Sequence, residues 1–214
     1  MKLWIASANK EVLEKSYQFP LTGIITNPSV IALEKKPWQE TFKDLNEFNQ
    51  DKIHIQVIST KEEEILREVE EYSRVIDKER LIVKIPMSVG GLKTVPFLKS
   101  KGFEINITGV CTMAQAVLAL ETDIDYISVY LARINDSGRD GLLFIRQVMD
   151  YIKRIGKTTQ IIAASVRNKE QLDEVINVGA DAIAITYELL EEMSKDIVTD
   201  NSIHNFKLDW DKII

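Results

Sequence analysis

Cysteine is almost missing from this chain. Cys111 stands alone among 214 residues, so no internal disulfide is available and a reducing, cytoplasmic compartment fits. Histidine is equally scarce, and two residues leave no metal-binding cluster to read. No stretch reaches the roughly 18 consecutive apolar residues of a membrane span, and the opening MKLWIASANKE turns polar too soon for a signal peptide. Positive charge is in deficit. The 27 Lys and Arg against 33 Asp and Glu leave a net charge of -6 and a pI near 5.1, which argues against a nucleic-acid footprint. Linkers, low-complexity tracts and breaks in composition are also lacking, so residues 1–214 read as one domain.

What the chain does have is a recurrence. Short β-branched runs alternate with charged segments whose apolar residues fall at helical spacing. The runs are KLWIAS (2–7), GIITN (23–27), IHIQVIS (53–59), LIVKIPM (81–87), EINITGV (104–110), YISVYLA (126–132), TQIIAAS (159–165) and AIAITY (182–187). Segments such as KEEEILREVEEYSRVI (61–76) and GLLFIRQVMDYIKRI (141–155) supply the helices. Strand–helix alternation implies parallel βαβ units. Eight of them, with no glycine-rich first turn, favour an α/β chain closed into a single (β/α)8 TIM barrel over a doubly wound sheet. Residues 200–214 form an extra C-terminal helix. Its Phe206, Trp210 and Ile213, at helical spacing, dock on this barrel or on a neighbouring subunit.

Parity sorts the strand side chains, because neighbours along a strand point to opposite faces. In 81–87, Ile82, Lys84 and Pro86 oppose Leu81, Val83, Ile85 and Met87. The equivalent faces of the other runs carry His54 and Gln56, Asn106 and Thr108, and Ser128 and Tyr130, each against uniformly aliphatic partners. Any one of these polar residues could be a satisfied core group. As a set sharing one parity, they read as the inward face of a barrel, with the later members at the catalytic rim.

Lys84 carries the sharpest implication. Among apolar neighbours a lysine is pushed towards the neutral amine, which adds to ketones to form a Schiff base. The bland readings are an ion pair or a stem that reaches out to solvent, but 81–87 holds no Asp or Glu and Lys84 is central. Schiff-base chemistry also needs proton transfer, and Tyr130, Thr108 and Gln56 share the inward face, to act directly or to hold a water. After the seventh strand, Ser165 and Arg167, with Asn168 as an N-cap, read as a phosphate seat. Arg133, just past the sixth strand, adds a second positive group. A capped helix with two solvated arginines is the alternative.

Several stretches, in this order and spacing, resemble the transaldolases, and within them the small fructose 6-phosphate aldolase and short transaldolase group. They are GIITNPS (23–29), QV (56–57), VKIP (83–86), INITGVCTMAQA (105–116), SVYLARINDSGRDG (128–141), AASVR (163–167) and FKLDW (206–210). The resemblance implies a Class I aldolase that cleaves or forms a sugar phosphate such as fructose 6-phosphate, without metal or organic cofactor. By position it makes Lys84 the Schiff-base lysine. It assigns Asn27, Ser29, Asn106 and Ser128 to the dihydroxyacetone portion, Thr108 and Gln56 to the catalytic water, and Arg133, Ser165 and Arg167 to the phosphate. It also implies a homo-oligomer, a pentameric ring or decamer with exchanged terminal helices.

Two positions discriminate within that group. Transaldolases carry glutamate where Gln56 stands and phenylalanine where Tyr130 stands, so this pair resembles the aldolase pattern, in which the phenol does acid/base work. One position departs. The first strand of the family ends in an aspartate that assists proton transfer, and here IAS puts Ala6 in its place. A transaldolase moving dihydroxyacetone between sugar phosphates, and a weakened or non-catalytic sugar-phosphate binder, are therefore the alternatives.

Overall fold

The computed structural model describes residues 1–48 and 51–214. Eight parallel strands close into a barrel in sequence order, each paired with the next and the eighth with the first. They are β1 (Lys2–Ile5), β2 (Gly23–Ile25), β3 (Lys52–Gln56), β4 (Leu81–Pro86), β5 (Glu104–Val110), β6 (Tyr126–Tyr130), β7 (Gln160–Ala164) and β8 (Ala182–Ile185). The helices that return the chain are α1 (Lys10–Ser16), α2 (Pro28–Ala32), α3 (Trp38–Phe48), α4 (Glu62–Tyr72), α5 (Val89–Ser100) and α6 (Met113–Leu120). They continue with α7 (Leu131–Asp136), α8 (Gly141–Arg154), α9 (Lys169–Val178), α10 (Tyr187–Glu192) and α11 (Ile197–Trp210). The expected (β/α)8 barrel is the fold observed.

Two cores follow from strand parity. The outward aliphatic faces, among them Ile53, Ile55, Val83, Ile85, Ile105, Ile107, Ile127 and Val129, pack under the helices against residues such as Leu45, Ile65, Val95 and Ile145. Each such side chain, fully buried, contributes roughly 1.5–3 kcal/mol. A separate inner layer holds Trp4, Ile25, Ile82, Tyr126, Ile162 and Ala182. It plugs the amino-terminal half of the barrel and leaves the carboxyl-terminal half for polar groups.

Helix starts follow local capping chemistry. Ser88, Thr112, Asp140 and Asn168 each accept a backbone N–H of the following turn, a contact typically contributing about 1 kcal/mol. Asn9 likewise caps α1, which commits its carbonyl to Val12.

Most strands end one to three residues before the runs read from the sequence, and three ends carry a visible physical reason or consequence. The run read as 53–59 leaves the sheet after Gln56, because the Glu68 carboxylate takes the amides of Ile58 and Ser59. The run read as 126–132 stops at Tyr130, and Leu131 opens α7 with no intervening loop. The terminal helix runs from Ile197 to Trp210, capped by Asp196, instead of over 200–214. No residue of α11 is buried.

Candidate active site

The carboxyl ends of the strands surround a cavity of about 510 Å³. Its floor is Lys84. The side chain is 3% exposed, and Nζ donates to the Thr26 backbone carbonyl at 2.9 Å. Among the described residues no carboxylate pairs with it, and none lines the cavity. Burial, reinforced by the positive charge of Arg133, lowers the ammonium pKa from 10.5 to about 7. Near neutrality a large fraction of Lys84 is therefore a free amine in a water-accessible cavity, which is the state a nucleophile needs.

Seven of the expected site residues line this cavity together: Asn27, Ser29, Gln56, Lys84, Tyr130, Arg133 and Ser165. Gln56 is the register neighbour of Lys84 on β3. Its Oε1 is buried without a hydrogen-bond partner among the described residues, a state costing about 1–3 kcal/mol unless a water or substrate donates to it. Asn27 caps α2 through Oδ1 at 3.0 Å from the Val30 amide, so its NH₂ is the end left for a ligand. Tyr130 ends β6, and Arg133 lies one helical turn further on. That spacing lays the guanidinium over the phenol ring at 4.5 Å from the centroid. Ser165, just after β7, has φ of 61°, a left-handed conformation that a non-glycine residue adopts at a cost of about 1–3 kcal/mol. Positive groups and the absence of carboxylates make the cavity suited to an anionic ligand.

The other four expected residues sit elsewhere. Thr108 is buried and reaches the cavity through Tyr130, its Oγ1 3.2 Å from the phenol oxygen. Asn106 and Ser128 are fully buried and bonded to one another, Ser128 Oγ donating to Asn106 Oδ1 at 3.0 Å. Arg167 does not line the cavity. Its guanidinium grips both oxygens of Asp136 on α7 at 2.9 and 2.7 Å, a half-exposed bidentate pair that holds the Asp136 carboxyl below its usual range.

Sequence reasoning missed three contributors. The Thr26 carbonyl that receives Lys84 is backbone and carries no residue signature. Gly109 has φ of 77° and forms a bulge between Thr108 and Val110 at the rim of β5. His54 was visible by parity but had no role assigned to it. Ala6, Ala164 and Ala184 give that part of the wall methyl groups only, so no carboxylate replaces the missing aspartate. An adjoining cleft of about 380 Å³ shares Thr26, Asn27, Pro28 and Gln56 but adds Trp38, Phe42, Tyr72, Lys36, Glu68 and Glu71, a mainly aromatic lining with two carboxylates and one ammonium. The described residues contain no group of three or more potential ligands that could hold a metal ion. They contain no helix long and apolar enough to cross a membrane.

Comparison with known proteins agrees with this geometry. The chain matches the transaldolase/fructose-6-phosphate aldolase family over residues 3–213. It is 32% identical to a probable transaldolase of Caldicellulosiruptor saccharolyticus, covering 100% of this chain and 98% of the relative. It is 34% identical to probable transaldolase 1 of Listeria monocytogenes, covering 99% and 98%. A probable transaldolase of Methanococcus vannielii is 32% identical, covering 99% and 98%. The chain thus belongs to the transaldolase/fructose-6-phosphate aldolase family, and it is an enzyme of aldolase or transaldolase type.

Proposed function

We propose that the protein is a Class I aldolase that cleaves or forms a sugar phosphate such as fructose 6-phosphate through a Schiff base on Lys84. The observation that carries this reading is the state of Lys84: buried, bonded to a neutral carbonyl, with its pKa lowered to about 7 at the floor of a cavity lacking carboxylates.

In the cleavage direction the Lys84 amine adds to the C2 carbonyl of the ketose phosphate, and loss of water leaves a protonated iminium. Tyr130 supplies the proton that the departing water takes, and the resulting phenolate then receives the C4 hydroxyl proton, directly or through a water held by Gln56 and Thr108. The C3–C4 bond breaks, its electron pair enters the iminium as an enamine, and the aldose phosphate departs. Reprotonation of the enamine at carbon and addition of water release dihydroxyacetone and restore the amine. Asn27, Ser29, Asn106 and Ser128 receive the hydroxyls of the three-carbon portion, and Arg133, Ser165 and Arg167 receive the phosphate. Arg167 reaches it by releasing or sharing Asp136, an exchange that a dianion favours over a half-exposed monoanion.

The pair Gln56 and Tyr130 favours release of free dihydroxyacetone. The names of the relatives favour a second reading, transfer of that unit to an aldose phosphate acceptor. Incubation with fructose 6-phosphate alone separates the two. Free dihydroxyacetone is the expected product, whereas turnover that appears only with an added acceptor aldehyde establishes transfer. Binding without product in either assay makes the protein a non-catalytic binder and overturns the proposal.

A single free thiol suits the cytoplasm, and the unburied apolar residues of α11 suit a homo-oligomer in which that helix packs on a neighbouring copy.

A further inference from the structure

Beneath Lys84 the barrel holds a histidine that the proposed chemistry does not use. His54 is fully buried on the inward face of β3. Its Nδ1 lies 3.1 Å from Asn106 Nδ2, and Asn106 passes the contact on, since its Oδ1 receives Ser128 Oγ. An amide NH₂ only donates, so this arrangement requires Nδ1 to carry the lone pair and Nε2 the proton. Nε2 has no hydrogen-bond partner among the described residues. The ring instead packs perpendicular to the Trp4 indole, with centroids 4.3 Å apart, and edge-to-face with Tyr126 at 5.0 Å. Room for that indole comes from Gly23, where a Cβ would stand 2.6 Å from a Trp4 ring carbon.

Burial, with Lys84, Lys52 and Lys2 nearby, disfavours a second proton on the imidazole, so one ring nitrogen stays an acceptor, and the Asn106 contact makes it Nδ1. Asn106 in turn is the register partner of Lys84 across β4 and β5. With the Nδ1 lone pair on one side and the donating Ser128 hydroxyl on the other, its amide is satisfied in this orientation. Turning the amide over would set its oxygen against the lone pair of Nδ1. Ser128 is fixed by the same contact.

We propose that His54 is a positioning residue: it locks the Asn106 amide, and through it the Ser128 hydroxyl, in the one orientation that receives the ketone donor beside Lys84. The proposal rests on the aldolase or transaldolase reading only in taking Asn106 and Ser128 as donor-binding groups. Its effect belongs to donor affinity, because neither His54 atom reaches the reacting carbons.

Two measurements test it. Nitrogen NMR of the full-length protein, labelled at histidine, is expected to show His54 protonated at Nε2 and bare at Nδ1. A proton on Nδ1 overturns the lock, since Asn106 must then present its oxygen to the ring. This experiment needs no turnover, so an inert protein with bare Nδ1 rejects the aldolase reading while supporting the lock. In kinetics, His54→Phe leaves a buried donor unmatched and is expected to raise the donor KM about ten-fold with kcat changed less than about three-fold. His54→Gln, whose amide oxygen can accept from Asn106, is expected to recover most of the loss. In an Asn106→Ala background, His54→Phe should add little further effect. An equal effect in both backgrounds, or a lower Tm with the donor KM unchanged, assigns His54 to the core alone and overturns the proposal.

Discussion

Burial, and after it the Arg133 charge, holds the Lys84 amine at the pKa that sets the working pH. The depressed pKa means that Lys84 is protonated only below about 7, so kcat/KM should rise with pH through that value and level off above it. Because the Arg133 charge opposes the ammonium, Arg133→Gln should move the inflection to higher pH. A pH–rate profile whose inflection stays or falls in that variant contradicts the assignment. Proton transfer is the second demand at this scale. With methyl groups at Ala6, Ala164 and Ala184, the proposed proton carriers are Tyr130, which Thr108 meets at 3.2 Å, and a water that Gln56 and Thr108 would hold. Tyr130→Phe should therefore lower kcat by about 10²–10⁴-fold, while Ala6→Asp changes the natural rate by less than about ten-fold. Steady-state kinetics on both variants checks this, and a large gain from Ala6→Asp would mean that the phenol does not carry the load. Lys84 was legible because a charge inside an aliphatic run has few structural explanations. Its partner, the Thr26 carbonyl, was not, since every residue has one.

Elements turn these residues into a site through two small irregularities. At β5 the register slips past Gly109, so that Thr108 faces Ser128 and Val110 faces Val129. The left-handed φ of Gly109 permits the bulge, and a Cβ there would meet the Tyr130 ring only at ordinary contact distance, 3.7 Å. Gly109→Ala should thus cost about 1 kcal/mol from the backbone alone and lower kcat by disturbing the Thr108–Tyr130 contact. Denaturant unfolding with parallel kinetics tests this, and an unchanged midpoint argues against it. At β6 the strand passes straight into α7, so the period changes from 2 to 3.6 at Tyr130 and Arg133 returns over the ring one turn later. A sequence reading that extends the strand to 132 misses this, because Leu131 and Ala132 suit either element. Inward parity was legible on every strand where aliphatic and polar residues alternate. The Arg167–Asp136 pair was not, joining residues 31 apart through geometry that only the closed barrel supplies.

The whole molecule combines a closed barrel with one unburied appendage. On α11, Phe206 is 71% and Trp210 62% exposed, a costly display for a helix with no buried residue. Packing of this helix on a neighbouring copy predicts an oligomer that the double substitution Phe206→Asp and Trp210→Asp reduces to smaller species in sedimentation velocity. A natural protein that already sediments as a monomer contradicts that expectation. Closure of the barrel explains why a net charge of -6 coexists with a cavity suited to an anion: among the described residues no Asp or Glu lines the cavity, and its charged side chains are Lys84 and Arg133. The central claim, that Lys84 is the Schiff-base nucleophile, is tested most directly by treating the protein with dihydroxyacetone and borohydride, followed by peptide mapping. The account predicts one reduced adduct per chain, on the peptide that contains Lys84. No adduct at any pH, or one on a different lysine, would contradict it.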